Sequence, residues 1–479
     1  MPVRAQSRTT SFLTNKEGFD CAQPDIKKMN NLKNIQNFYF VGIGGIGMSA
    51  LARYFNLEGK SVFGYDKTPS EITDALIQEG IQIQFEDDLS LLPKSIQNNE
   101  NTLVVFTPAI PKNNKILSWF KSEKFWILKR ATVLGEISKN SMCLAVAGTH
   151  GKTTTSAILG HLLAECNMPV TAFLGGVTEN YNSNLIYKGS EIMVVEADEF
   201  DRSFLQLKPT IACVTSMDAD HLDIYSDASD LENTFIEFSE LLPNPKNLLF
   251  KKGLPLKGNT VSATETADFQ AQNVRIDNGS YVFDLKTPSE IIENLRFHLP
   301  GRHNMFNAVT ALGMAILAGS PTDCLPKALQ NFKGVKRRFS YKIKTENLVL
   351  IDDYAHHPTE IEAVYQAVTE MYPNEKKLIV FQPHLFSRTR DFVSEFAKSL
   401  SKFDEIILLD IYPAREESIE GVTSNWLLNK IENEHKKLIS KNELSAEIKA
   451  SNCLVKIMAG AGDIGVEVDK VTKYLTNEN

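Results

Sequence analysis

Short apolar runs recur along the chain, each closed by glycines or acids and followed by apolar positions at helical spacing. Runs of this kind are the pattern of strands buried on both faces of a parallel sheet. A first group comprises Phe38 to Val41, Ser61 to Tyr65, Ile81 to Phe85 and Thr102 to Phe106, with a helix predicted from Ala50 to Leu57. A second group opens near Ser141 with Leu144 to Ala147. A helical spacing follows from Ser156 to Leu163, then runs at Glu191 to Val195 and Ile211 to Thr215. Between Lys251 and Phe297 the pattern changes: Asn273 to Ile276 and Tyr281 to Leu285 flank Asp277-Asn278-Gly279-Ser280, the signature of a β-hairpin. A third group, from near Phe332, holds Leu348 to Ile351, Lys377 to Phe381, Ile406 to Leu409 and Leu454 to Met458, alternating with helices as in another parallel sheet.

The totals alter this picture little. A chain of 479 residues with 43% apolar and 23% charged residues suits two to four soluble domains. The net charge of -8 without a basic stripe argues against nucleic acid as the main partner. Six scattered cysteines, none in CxxC spacing, suit a reducing cytoplasm with neither a disulfide framework nor a zinc cage. The longest apolar stretch, Phe306 to Gly319, includes Asn307 and Thr310 and falls short of the ~20 residues of a membrane span, so it is expected to be a buried helix. Residues 1–35 form an N-terminal tail. Its first sixteen residues are basic and Ser/Thr-rich but have no amphipathic face, and Met29 is a candidate start.

The chemistry concentrates where predicted strands end. Leu144 to Ala147 run into Gly148-Thr149-His150-Gly151-Lys152-Thr153-Thr154, between a strand and a helix. Backbone N–H groups of such a loop converge on phosphate oxygens, the lysine reaches the outer phosphates and a hydroxyl can sit on magnesium. The general loop carries glycine five residues before Gly151, where this chain has Val146; the expectation is a shortened triphosphate loop. Gly42, Gly44 and Gly47 fit G-x-G-x-x-G after the first strand, and Asp66 closes the second. That fingerprint suits a dinucleotide or a sugar-nucleotide diphosphate. Acids follow two strands of the second unit, Glu196-Ala197-Asp198-Glu199 and Asp218-Ala219-Asp220-His221-Leu222-Asp223, as Mg²⁺ ligation beside a phosphate loop requires. Arg302, His303, Asn304 and Asn307 cluster at a helix start, with His303 and Asn307 one turn apart. Strand ends of the third unit carry Asp352-Asp353-Tyr354-Ala355-His356-His357-Pro358-Thr359-Glu360 and Gln382-Pro383-His384-Leu385-Phe386-Ser387-Arg388. Gly460, Gly462 and Gly465 repeat the glycine spacing without a following acid-bearing strand and read as a tight strand–helix turn.

G-T-H-G-K-T-T, E-A-D-E, A-D-H-x-D, P-G-R-H-N-x-x-N, R-R-F, D-D-Y-x-H-H-P-T-E and F-Q-P-H-x-x-x-R-T-R, in this order, resemble the Mur ligase family over roughly residues 36 to 470. The resemblance implies an α/β protein of three domains. These are a Rossmann-like N-terminal domain for a UDP-sugar (36–139), a central P-loop-type ATPase domain with a parallel sheet and a small β-hairpin region (140–335), and a C-terminal Rossmann-like domain for an amino acid (336–479). The implied reaction joins L-alanine to the carboxylate of UDP-N-acetylmuramate with ATP, through an acyl phosphate, in cytoplasmic peptidoglycan precursor synthesis. The implied partners are these small molecules, with no nucleic acid and no membrane span, and the chain acts as a monomer or homodimer. Carried over, Gly148, Thr149, His150, Gly151, Lys152, Thr153 and Thr154 cradle ATP, and Thr153, Glu196 and His221 hold Mg²⁺. His303 and Asn307 contact adenine, and Arg338 helps from the third domain. Tyr354, His356 or His357, and Arg388 face alanine, while Gly42, Gly44, Gly45, Gly47 and Asp66 hold the UDP part. Lys152, Glu196, His221, His356, His357 and Arg388 are the candidate catalytic groups. Leu385 stands where some members carry arginine. The alternatives are a ligase of the family that reattaches a whole peptide to the same sugar and, from another class, an NAD(P)-dependent oxidoreductase built on Gly42 to Asp66. The second leaves the phosphate loop and both acidic clusters without a role.

Overall fold

The computed structural model describes residues 32–218, 225, 228–277, 280–414 and 416–476. The first sheet takes β1 (Asn37–Val41), β2 (Ser61–Tyr65), β3 (Gln82–Gln84), β4 (Thr102–Phe106) and β5 (Trp126–Lys129) in the order β3-β2-β1-β4-β5. All pairs are parallel. Helix α1 (Ile46–Leu57) starts four residues earlier than the apolar spacing predicts, directly off the glycine turn. Helix α2 (Arg130–Ser138) leads into the second sheet.

The second sheet has ten strands: β6 (Met142–Ala147), β7 (Val170–Thr178), β8 (Ser183–Tyr187), β9 (Ile192–Glu196), β10 (Ile211–Val214), β11 (Leu248–Lys251), β12 (Asn259–Ser262), β13 (Phe269–Asp277), β14 (Ser280–Lys286) and β15 (Ile291–Phe297). Their order is β15-β14-β13-β12-β11-β10-β6-β9-β7-β8. The expected hairpin therefore is not a separate region. Strand β13 pairs in parallel with β12, and β14 and β15 continue the same sheet antiparallel. The hairpin tip, Asn278 and Gly279, lies outside the described residues. Helix α3 (Lys152–Glu165) follows β6, and α4 (Arg302–Leu317) follows β15. Leu144, Val146, Ile158, Leu162, Met305, Val309 and Leu312 close a common apolar core between these helices and the sheet. The apolar stretch from Phe306 is thus the buried helix its pattern predicts, and no described helix is long and apolar enough to cross a membrane.

The third sheet comprises β16 (Ser340–Lys344), β17 (Val349–Asp353), β18 (Lys377–Phe381), β19 (Glu405–Leu408), β20 (Lys436–Leu438) and β21 (Val455–Ala459), ordered β16-β17-β21-β18-β19-β20. It is parallel except for the antiparallel edge β16. Helices α5 (Pro358–Met371), α6 (Phe386–Asp391) and α7 (Ile464–Thr476) begin just past the ends of β17, β18 and β21.

The first two sheets share an apolar core. Phe38, Phe40, Phe55 and Leu134 join Ala145, Phe173, Val195, Val214 and Phe235 in one cluster. Asn184 of β8 pins the junction, donating to the carbonyl of Ile46 (2.6 Å) and to Ser49 Oγ (2.9 Å) and accepting from Arg53. Arg53 also bonds Glu79 at 2.9 Å. The third sheet has its own core on each face. One expectation fails: Cys166, at the end of α3, and Cys324 form a disulfide with a Cα separation of 5.7 Å. Residues 158 positions apart meet because α3 and the connection after α4 end side by side, a juxtaposition that cysteine spacing does not encode.

Candidate active site

The loop after β6 is shaped by backbone that side chains would obstruct. Gly148 has φ +127°, and a Cβ there would lie 2.1 Å from Thr215 Oγ1 and 2.8 Å from the Ser216 backbone nitrogen. Gly151, at φ +85°, turns the chain into α3 so that the first helical N–H groups face the cleft. Lys152 Nζ donates to Gly148 O at 2.7 Å and to both oxygens of Glu199 at 3.0 and 2.8 Å. Burial alone would pull this amine toward neutrality. The carboxylates of Glu199, Asp198 and Glu196 more than offset that and keep it an ammonium. Glu199 is fully enclosed, and Tyr225 Oη donates to its backbone carbonyl.

Beside the lysine, Thr153 Oγ1 and Ser156 Oγ each donate to Glu196 at 3.1 Å, and the Gly175 N–H donates to the same carboxylate. Burial raises the Glu196 pKa against those bonds. Thr153 and Glu196 offer two adjacent hard oxygens. Mg²⁺ takes such donors together with waters and phosphate oxygens. The expected third ligand, His221, lies outside the described residues. Among the described residues no group of three or more His, Cys, Asp or Glu side chains is arranged to hold a metal.

A cavity of about 250 Å³ continues from the loop between the second and third sheets. His150, Gly151, Thr154, His303, Asn304, Asn307, Arg338 and Glu360 are among its lining residues. The candidate adenine contacts His303 and Asn307 thus face the same space as the phosphate loop. Arg302 does not join them; it pairs with Glu370 at 3.5 Å. Asn304 spends its amide on Pro300 O at 2.7 Å.

A second, contiguous cavity of about 180 Å³ is lined by Thr149 to Thr154 and by Arg338, His356, Glu360 and Arg388. Adjacent histidines take different jobs here. His357 is the N-cap of α5, its ring accepting from the Thr359 N–H, and packs on Phe392. His356 instead turns into the cavity. Burial pushes its imidazole down, Glu360 opposes that shift, and Arg388 adds to it. Arg388 Nη1 lies 3.3 Å from His384, whose ring is 5.9 Å from that of His356. Tyr354 is flanked by the guanidinium groups of Arg337 and Arg338, each 5.0 Å from its ring centre. Leu385 is buried at φ +72°, a backbone conformation that residues other than glycine seldom adopt, and starts α6. Asp353 accepts the N–H groups of Phe339 and Ala355, both at 2.7 Å, and burial pushes it up to about 6. Asp352, buried 3.6 Å from Arg337, is also raised by burial to about 6.

The first glycine loop lies at the end of β1. Asp66 does not point away from it as a free ribose acceptor: its Oδ2 accepts the Gly44 N–H at 2.8 Å, and the loop is braced from within. Gly42 takes φ +89°. Arg130, at the start of α2, lies against Gly47, where a Cβ would fall 2.2 Å from its Nη1, and reaches Asp198 at 3.7 Å. Gly45 precedes α1 as its N-cap. Sequence reasoning singled out neither Arg130 nor the roles of Glu199 and Glu360. The last two were visible as members of motifs, but which acid of a cluster turns inward is decided by packing.

Three family models match the chain: the Mur ligase family catalytic domain over residues 37–141, the Mur ligase middle domain over 146–315, and the Mur ligase glutamate ligase domain over 337–466. The chain is 60% identical over 451 residues to a UDP-N-acetylmuramate–L-alanine ligase of Christiangramia forsetii, covering 94% of this chain and 100% of that one. It is 46% identical over 457 residues to the same-named protein of Parabacteroides distasonis, covering 94% and 99%. Among solved structures it resembles UDP-N-acetylmuramate-alanine ligase of Thermotoga maritima, with TM-score 0.79 and 26% identity over 92% of this chain and 100% of that one. A murein peptide ligase of Psychrobacter arcticus shares the fold at TM-score 0.69 and 19% identity, over 93% and 99%.

Proposed function

Since the chain belongs to the Mur ligase family, we propose that it joins L-alanine to the carboxylate of UDP-N-acetylmuramate at the expense of ATP. The observation that carries this reading is the 60% identity, over 94% of the chain, to a relative bearing that name. The site suits the chemistry. The γ-phosphoryl of ATP moves to the sugar carboxylate, alanine's amine attacks the acyl phosphate, and phosphate leaves from a tetrahedral intermediate. Each step develops negative charge on oxygens, which fixed cations and N–H donors stabilise.

In this assignment Gly148 to Thr154 hold the triphosphate, with Lys152 shifting from Glu199 onto the outer phosphates. His303 and Asn307 border the base, and Arg338 faces the phosphates from the third domain. Arg388 pairs with alanine's carboxylate, with Tyr354 and His356 beside it. Gly42, Gly44, Gly45 and Gly47 take the UDP diphosphate, and Asp66 keeps their turn in shape. Thr153, Glu196 and His221 would hold Mg²⁺, which when bound screens the phosphate charges as the two anions approach. On this reading the reaction belongs to the cytoplasm.

The test supplies ATP, Mg²⁺ and UDP-N-acetylmuramate, adds L-alanine or a murein tripeptide, and follows phosphate release. Release that depends on alanine is expected. Release with the tripeptide alone would transfer the chain to the peptide-reattaching ligases, and release with neither would refute both readings.

A further inference from the structure

The side chain of Glu360 serves both halves of the catalytic cleft. It is the third residue of α5 and completes a capping box with His357. Its Oε2 accepts the backbone N–H groups of His356 at 2.9 Å and His357 at 3.1 Å and lies 3.2 Å from His356 Nδ1. Its Oε1 looks across the domain boundary, 3.5 Å from His150 Nδ1 on the phosphate loop and 4.0 Å from Arg338. The side chain is 18% exposed. Burial would raise its pKa, but His356, His150 and Arg338 hold it well below the usual carboxylate range.

The geometry fixes the tautomer of His356. Nδ1 lies 2.9 Å from the Tyr354 carbonyl, which can only accept, so Nδ1 carries the proton. Glu360 lies against the same N–H. Nε2 is then the nitrogen with a lone pair, on a ring that lines the cavity with Lys152 and Arg388. A carboxylate behind one imidazole nitrogen and an open lone pair on the other is the arrangement of an oriented general base. The charged and titratable groups facing His356 among the described residues include Glu360, Arg388, Arg338, the His384 ring and the Tyr354 ring.

Resting on the ligase reading above, we propose that Glu360 is the positioning residue that orients His356 to take the proton from the ammonium of the incoming amino acid. The ammonium gives one proton to His356 Nε2. The freed nitrogen lone pair forms the N–C bond to the acyl carbon. The C–O bond to phosphate then breaks, its electron pair leaving on inorganic phosphate, and the second nitrogen proton leaves with that phosphate. Glu360 stabilises the imidazolium formed, and its second oxygen ties that event to the phosphate loop through His150. Because glutamine serves equally well at the third position of a capping box, Glu360→Gln keeps the helix start and removes only the charge.

The experiment compares two nucleophiles on the full chain with ATP, Mg²⁺ and UDP-N-acetylmuramate. L-Alanine arrives as an ammonium and needs the base; hydroxylamine is unprotonated at neutral pH and does not. For Glu360→Gln, alanine-dependent kcat is expected to fall about 100-fold, the lower end of what a placed general base contributes. Hydroxamate formation is expected to fall far less, so the ratio of the alanine rate to the hydroxylamine rate drops by most of that factor; any change in ATP binding through the Glu360–His150 contact is common to both nucleophiles and cancels in the ratio. His356→Gln should give the same split, so the proposal does not hang on one variant. A parallel loss with both nucleophiles, at unchanged thermal stability, would overturn it. So would full alanine activity in either variant. Wild-type protein that yields hydroxamate but no alanine product would overturn the choice of amino acid, a result read before any variant is made and separate from the variant results.

Discussion

Replacing Glu199 by glutamine isolates one electrostatic exchange. In the free protein the Lys152 ammonium is bracketed by both oxygens of a fully enclosed carboxylate, at 2.8 and 3.0 Å, while the lysine side chain is 17% exposed. Removing one partner of a buried pair strands the other charge, at a cost of ~3–5 kcal/mol. Lys152 keeps the Gly148 carbonyl at 2.7 Å and some access to water, which places the expected loss at about 3 kcal/mol. For a domain of this size that lowers the melting temperature by roughly 6–12 °C. A triphosphate changes the balance because it gives Lys152 a new anionic partner. Differential scanning calorimetry with and without saturating non-hydrolysable ATP analogue should show the gap between variant and wild type shrinking to about half or less. Recovery of ~1.4 kcal/mol means the variant binds the analogue about tenfold more tightly than wild type, which titration calorimetry reads independently. A gap unchanged by nucleotide, with equal affinities, would refute the idea that Lys152 passes from Glu199 to phosphate.

Three further outcomes are expected. Lys152→Ala should abolish turnover yet leave UDP-sugar binding intact, as measured by titration calorimetry; equal loss of both would contradict separate sites. Asp352, raised to about 6, binds its proton more tightly folded than unfolded, so its contribution to stability grows as pH falls from 7 through 6 toward 5. Over that window the wild type should gain about 1 kcal/mol that Asp352→Asn does not gain, checked by urea denaturation at the two pH values. Thiol titration of the unfolded protein under non-reducing conditions should protect Cys166 and Cys324, leaving Cys143, Cys213, Cys453 and Cys21, the last outside the described residues, reactive; reduction should cost ~2–4 kcal/mol of stability, and an unaltered urea midpoint would refute that.

Much of the fold could be read in advance because strands buried on both faces leave uninterrupted apolar runs. Lys377–Phe381 lies in the sheet over the residues its pattern predicts. Among the strands that escaped notice, Val170–Thr178, Leu248–Lys251 and Asn259–Ser262 lie inside the second sheet, and others are edges. Ser340–Lys344 and Lys436–Leu438 are short, polar and paired on one side only, so neither burial nor alternation marks them. The glycine loops were legible because turns that close have few alternatives to glycine. Three things were not legible. Neighbouring histidines divide their roles because the chain at 356–357 is extended and aims successive side chains to opposite sides. The inward carboxylate among Glu196, Asp198 and Glu199 is selected by where Lys152 reaches. Asp66 braces the loop that a fingerprint would have it serve from outside.

The shared core of the first two sheets makes this a protein of three folds but two mechanical bodies. With Asn184 stitching β8 to α1, the seats assigned to the sugar nucleotide and to ATP cannot drift apart without tearing hydrocarbon from hydrocarbon. The amino-acid end, with a core of its own, meets them through polar contacts such as those of Glu360 and through Met371 packed on the core of the second sheet. Selection can therefore rework the end that chooses the amino acid, residue by residue or by wholesale exchange, while the machinery that activates the carboxylate stays in register.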